Sequence, residues 1–202
     1  MNPSPPRLAA TRRPVILASR SRARKALLRQ IGLRFRTAAP RVREAETHRD
    51  GSAAMVVANA RAKALDVARR RRTGLVIAAD TVVTARGKVI GKPANLAEAR
   101  KTLRLLSRSP QQVLTGVAVA DIDRGTVRTA CVKTLVVMRP MGDREIGRYL
   151  RKVSPLDLAG SFDIQGLGAL FVERVEGCYF NVVGLPLAAL ARLLRETGIE
   201  LP

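Results

Sequence analysis

An aspartate interrupts the apolar run Leu75-Val76-Ile77-Ala78-Ala79-Asp80-Thr81-Val82-Val83. A carboxylate in such a run is costly unless it meets a cation, a metal or water. Asp80 therefore either lies on the wet side of an alternating strand or belongs to a site. The same choice arises elsewhere. In "LASRSRARKALL", residues 17–28, Ser19 or Ser21 can cap the helix that follows and leave backbone N–H groups facing an anion. Arg24 precedes Leu27, Leu28 and Ile31 at helical spacing and shares their inward face, whereas Arg22, Lys25 and Arg29 fall on an outer one. The plain alternative is a capped helix with one snorkelling arginine. Lys63 lines up with Val56, Ala60 and Val67 on an apolar stripe. Glu44, in "RVREAE", either serves a site or pairs with its arginine neighbours at the surface. Lys92, in "GKVIGKP", is held extended by Pro93 and is either a ligand group or a surface lysine. Gln165, among the glycines of "AGSFDIQGLGALF", can read a base edge or complete a turn. As a set, the carboxylate pair Glu44 and Asp80, the cations Arg24, Lys63 and Lys92, and one amide suit a phosphate ester and a hard metal ion.

Periodicity supplies the elements that would position these groups. A short strand is expected over 14–18, a helix over 21–31 ending at Gly32, and a second strand over 35–39. A polar loop over 44–51 leads to one long alanine-rich helix over 52–72, which closes on arginines suited to a helix C-terminus. A β-branched strand over 75–84 turns at "ARGK" into a short partner around Val89-Ile90. Asn95-Leu96-Ala97-Glu98 resembles a capping box for a helix reaching about Ser107. Strands are expected over 113–121 and 127–138 with a turn at Arg124-Gly125, a helix over 143–153, and short strands over 162–164 and 169–175. Pro186 opens the last helix and Gly198 ends it. Alternating strands and helices indicate an α/β fold, and the strand-rich middle a mixed sheet.

Composition narrows the function classes. The chain has 202 residues, enough for one well-cored domain or a core domain with a small lobe. No apolar run approaches the roughly 20 residues that cross a bilayer, and the first 13 residues, which lack a hydrophobic signal core, are expected to form a flexible tail before a single domain over 14–202. Cys131 and Cys178 match no metal spacing, which suggests reduced thiols and a cytoplasmic setting. With His48 as the single histidine, a metal here is a hard cation held by Asp, Glu and water. The net charge of +21 invites a nucleic-acid partner. Against that, the 30 Arg and 7 Lys are scattered apart from Arg69–Arg72, and two Tyr, four Phe and no Trp make a sparse stacking platform. Nucleic-acid affinity is then incidental, and no membrane is implied.

The ordered motifs resemble the Maf family of nucleotide pyrophosphatases, which share their fold with the inosine-triphosphate pyrophosphatases. The family pattern "LASxSxxRRxLL" is seen at residues 17–28 as "LASRSRARKALL", followed by Glu44, Lys63-Ala64, "ADTVV" at 79–83, "GKP" at 91–93, "TGVAV" at 115–119, "DxAGxxxIQG" at 157–166 and "YxNVVGLPL" at 179–187. The resemblance implies an elongated mixed β-sheet flanked by helices, with two lobes and a central cleft, in a homodimer. It implies hydrolysis of a nucleoside triphosphate between the α- and β-phosphates, giving monophosphate and pyrophosphate. By the same resemblance Asp80 is the base, and Glu44 and Asp80 hold a Mg2+ or Mn2+ ion. Ser19, Arg24, Lys63 and Lys92 hold the phosphates, with Lys63 and Lys92 also catalytic. Ala23, Thr81 and Gln165 occupy positions tied to base choice. The suggested roles are removal of non-standard or surplus nucleotides and restraint of septum formation.

Four positions depart from the pattern. Ala23 stands where many members carry Arg or Trp, Lys25 replaces the second Arg of the pair, Leu158 stands where Lys is common, and Cys178 where Asp is frequent. The "ADT" and "IQG" segments resemble the branch that takes dTTP and UTP, while Ala23 departs from that branch. The competing readings are a nucleic-acid-binding protein and a division regulator without turnover. The first predicts salt-dependent binding without turnover.

Overall fold

The computed structural model describes residues 13–201. Of the expected tail, residues 1–12 lie outside the described residues, while the Arg13 guanidinium bonds Asp121 and Asp123. Seven strands form one sheet: β1 (Val15–Leu17), β2 (Arg36–Thr37), β3 (Leu75–Ala85), β4 (Lys88–Ile90), β5 (Gln111–Asp121), β6 (Thr126–Met138) and β7 (Val172–Glu176). The order is β2-β1-β3-β5-β6-β7, with β4 paired to β3. β1 runs parallel to β2 and β3, whereas β3–β4 and β6–β7 are antiparallel, so the sheet is mixed as expected. The helices are α1 (Arg22–Gln30), α2 (Gly51–Ala68), α3 (Leu96–Leu106), α4 (Asp143–Lys152), α5 (Tyr179–Val183) and α6 (Leu187–Arg195). The chain divides into two compact units. One comprises the chain up to Asp80 with Thr115–Val132 and everything from Gly184; the other comprises Thr81–Leu114 and Lys133–Val183.

The first unit packs α2 on β1, β3 and β5 through small side chains. Ala60, Ala64 and Val67 of the helix meet Ile16, Ala18, Val76, Ala78, Ala118 and Ala120, all buried. Small residues let helix and sheet approach closely, and Gly116 marks the limit: a Cβ there would stand 2.2 Å from the Val56 carbonyl oxygen. α1 begins at Ser21, whose hydroxyl accepts from the Arg24 N–H, and buries Leu27 and Leu28. α2 ends at Ala68, short of the expected Arg72. Arg70 N–H bonds Val67 C=O and Arg71 N–H bonds Ala68 C=O, so three-residue turns close the helix, and the Arg70 guanidinium folds back onto Asp66 and the Ala39 carbonyl.

The second unit has its own core, built on Leu103, Leu106, Val113, Val136, Ile146, Tyr149, Phe162 and Phe171. Asn95 caps α3 by accepting from the Glu98 N–H, while the Glu98 carboxylate reaches the Ala94 N–H in place of Asn95's own. The expected strand over 162–164 is absent. Short 3-10 turns occupy Pro155–Asp157, Ala159–Ser161 and Leu167–Phe171, because Gly160 and Ser161 both take left-handed backbone. Phe162 is apolar because it enters the core, which gave the segment the look of a strand. The strand expected over 169–175 accordingly starts late, at Val172. The one-turn helix α5 was not anticipated, and Pro186 sits at the N-cap of α6 rather than within it. Both cysteines are free thiols. Among the described residues, no helix is long and apolar enough to cross a membrane.

Candidate functional site

The burial of β3 settles the alternative posed by Asp80. Every residue from Leu75 to Asp80 is buried, so this half of the strand has no wet face. Asp80 is 5% exposed and needs partners. It finds two on α2, one helical turn apart: Lys63 Nζ donates to Oδ1 at 2.7 Å and Asn59 Nδ2 to Oδ2 at 2.9 Å. Burial pushes the Asp80 carboxyl up. The Lys63 charge and hydrogen bond, with the Asn59 N–H, outweigh it and hold the group below the usual carboxylate range. Asp80 is ionised at neutral pH.

Lys63 lies on the apolar face of α2 and is itself buried. Its ammonium also meets Glu44 Oε1 at 2.9 Å, so two carboxylates converge on one cation. Glu44 lies on the exposed segment between β2 and α2, and its partner is Lys63 rather than a neighbouring arginine.

Ser19 and Arg24 flank the start of α1. The buried Ser19 hydroxyl accepts from the Ser21 N–H at 3.1 Å and faces Arg24 Nη1 at 3.5 Å. The helix cap is therefore Ser21, and Ser19 is left to the approach. Arg24 Nε donates to the Gly184 carbonyl at 2.8 Å, which aims the guanidinium. Burial pushes its proton affinity down, and the charges of Asp80 and Glu44 push it back up. An arginine stays charged through such shifts. Arg22 and Arg29 of the outer face are exposed and Lys25 is half-buried.

The first unit thus brings together Ser19, Arg24, Glu44, Lys63 and Asp80. Ala23, half-buried on α1, belongs to the same unit. Thr81, Lys92 and Gln165 belong to the second. Thr81 follows Asp80 on β3 and is half-buried; Lys92 is exposed after β4; Gln165 is exposed, its N–H bonded to Asp163 Oδ1 at 2.9 Å. Sequence reasoning missed Asn59. Its one signal, a polar residue four before Lys63, is faint in an alanine-rich helix whose faces are poorly marked.

Chemically, the cluster offers two cations and two carboxylates at one place. Among the described residues, no group of three or more Asp, Glu, His or Cys could hold a metal alone. Two carboxylates with water and phosphate oxygens are nevertheless a common Mg2+ donor set, and the oxygens of Glu44 and Asp80 fit it.

The family described as Maf-like protein matches residues 14–197. A dTTP/UTP pyrophosphatase of Carboxydothermus hydrogenoformans is 43% identical over 184 residues, covering 91% of this chain and 98% of the relative. One of Methanosarcina barkeri is 42% identical over 190 residues, covering 94% and 96%. A solved structure described as nucleoside-triphosphatase / dITP/XTP pyrophosphatase, from Mycobacterium abscessus, aligns with a TM-score of 0.44 at 14% identity, over 77% of this chain and 92% of that one. With the family matched over nearly its whole length, the chain belongs to the Maf-like proteins.

Proposed function

We propose that the chain is a nucleoside triphosphate pyrophosphatase that cleaves the α–β phosphate anhydride of dTTP or UTP, releasing the monophosphate and pyrophosphate. The observation that carries this reading is the buried Asp80–Lys63 pair joined by the exposed Glu44, beside Arg24, in a chain 43% identical to a named dTTP/UTP pyrophosphatase.

Charge balance shapes the mechanism. Arg24 and Lys63 are offset by Glu44 and Asp80, so the cluster alone is close to neutral. A triphosphate brings three to four negative charges, which call for further cations. A Mg2+ or Mn2+ ion held by Glu44 and Asp80 would supply Lewis-acid charge at the phosphate oxygens. Ser19 and Arg24 bind phosphate oxygens at the start of α1, and the family resemblance gives Lys92 a phosphate-holding role as well. Asp80 takes the proton from the attacking water, and its depressed value keeps it in the ionised form the step needs. Lys63 holds Asp80 ionised and aims it. The anhydride bond breaks as the water oxygen bonds phosphorus, and pyrophosphate leaves with the electron pair. Thr81 and Gln165 read the base, and Ala23 leaves that choice to them. The family resemblance further supports a homodimer in the cytoplasm that clears surplus or non-standard nucleotides, with restraint of septum formation as its consequence.

The test is pyrophosphate release from a panel of canonical and modified triphosphates with Mg2+ or Mn2+, and with EDTA. Turnover of dTTP or UTP that EDTA abolishes supports the reading. No release from any triphosphate overturns it.

A further inference from the structure

We infer that Asn59 is a positioning residue that keys the Glu44 loop to Asp80, so that the two carboxylates take up a divalent cation at a fixed separation. Its consequence for turnover rests on the pyrophosphatase reading above; its premise is geometric.

Asn59 is 5% exposed on α2. Its Oδ1 accepts from the Ala45 N–H at 2.8 Å, and its Nδ2 donates to the Ala45 C=O at 2.9 Å and to Asp80 Oδ2 at 2.9 Å. An amide has two N–H donors and one carbonyl acceptor, and each is engaged here. The flipped amide would set its oxygen against a carbonyl and a carboxylate, so the network fixes its orientation.

Ala45 lies between β2 and α2 in a segment without helix or strand. Its backbone has no ladder to join, and the Asn59 amide supplies the missing rung. The residue just before Ala45 is Glu44. One turn further along α2, Lys63 bridges the same two parties, Asp80 Oδ1 and Glu44 Oε1, through side chains. The two bridges differ in kind. Lys63 is a point charge on a flexible four-carbon stem and can follow a loop that moves. Asn59 is short, doubly bonded to backbone and buried, so it cannot. Asn59 therefore sets where the Glu44 backbone lies relative to Asp80, and Lys63 supplies charge between them. Removing such a support costs a metal site about 10- to 100-fold in affinity or activity.

The test compares wild type with Asn59→Ala and with Asn59→Leu, which keeps the branching at Cγ and removes every hydrogen bond. Mn2+ uptake by the full chain without nucleotide is read from the free-ion electron paramagnetic resonance signal. Melting curves, and kcat and KM for dTTP at saturating Mn2+, are measured on the same preparations. The expected result is folded variants whose Mn2+ dissociation constant rises about tenfold or more. Their kcat falls, and their nucleotide KM stays within about twofold because Ser19 and Arg24 are untouched. A folded variant with wild-type Mn2+ affinity overturns the role, including one that only melts earlier. Wild-type protein that takes up no Mn2+ overturns it as well. If the variants lose Mn2+ affinity while wild type turns over no triphosphate, the pyrophosphatase reading falls and the positioning role stands.

Discussion

Lys63 and Asp80 form a buried ion pair, Nζ to Oδ1 at 2.7 Å, between the inner face of α2 and the middle of β3. Neither charge is tolerable there alone, because an isolated buried ion loses its hydration without return. Asp80→Asn keeps the shape and removes the proposed base. It is expected to lower kcat by on the order of 100-fold or more at unchanged fold, read by pyrophosphate release alongside circular dichroism. Wild-type turnover in Asp80→Asn would remove Asp80 from the proton transfer.

A second pair tests pH dependence. Arg13 donates to both oxygens of Asp121 and to Asp123. Asp121 is almost fully buried. Burial pushes its carboxyl up, while the bonds from Arg13 and the Arg124 N–H outweigh that and leave it below its ordinary value of 3.8. A depressed carboxyl adds stability above its unfolded value and loses it as the pH falls through the folded one. Arg13→Ala is therefore expected to cost about 2 kcal/mol near neutral pH, with the gap from wild type closing below about pH 4. Urea midpoints across pH 2 to 7 measure it, and a gap that does not narrow at all as the pH falls below 4 contradicts the assignment.

Thr134 serves three partners from one buried hydroxyl. It donates to the Cys178 carbonyl at 3.1 Å and accepts from the Cys178 N–H at 3.1 Å and from Asn181 Nδ2 at 2.9 Å. Thr134→Val preserves volume and withdraws all three, for an expected loss of about 2 kcal/mol, whereas Thr134→Ser retains the hydroxyl and most of the stability. Denaturant midpoints of the two variants should separate accordingly; equal midpoints would show that the hydroxyl contributes nothing.

Asn95 is a simpler case. Its side chain accepts from the Glu98 N–H at 2.9 Å at the start of α3. Asn95→Ala is expected to cost about 1 kcal/mol, and Asn95→Asp to recover it. Thermal unfolding of the pair of variants decides, and an Asn95→Asp protein no more stable than Asn95→Ala counts against the cap.

These positions also show where the sequence was legible. Arg24 and Lys63 could be placed inward because each recurs with apolar neighbours at helical spacing, whereas the break in an apolar run at Asp80 only posed the choice between a wet strand face and a site. Asn59 could not. In an alanine-rich helix the face is poorly marked, and a lone amide reads as solvent-facing until the strand opposite is known to carry a carboxylate. The strand assigned to 162–164 failed for a different reason. Left-handed backbone at Gly160 and Ser161 steers the chain into turns, and only the glycine announces that in a sequence. α5 was too short for its period to register. The polar residues of the second unit could be named from motifs, but their three-dimensional roles come from the loops that carry them.

Gly116 has a consequence for the chemistry, although it touches none of the polar groups. The helix that carries Asn59 and Lys63 rests against the sheet with main chain on main chain, where a β-carbon would lie 2.2 Å from the Val56 oxygen. An amide arm as short as that of Asn59 reaches Asp80 only at such close range. The tolerance of the polar cluster is thus gauged by an absent methyl group, and any side chain at residue 116 would act as a shim, lifting α2 until the long lysine still reached across and the short asparagine did not.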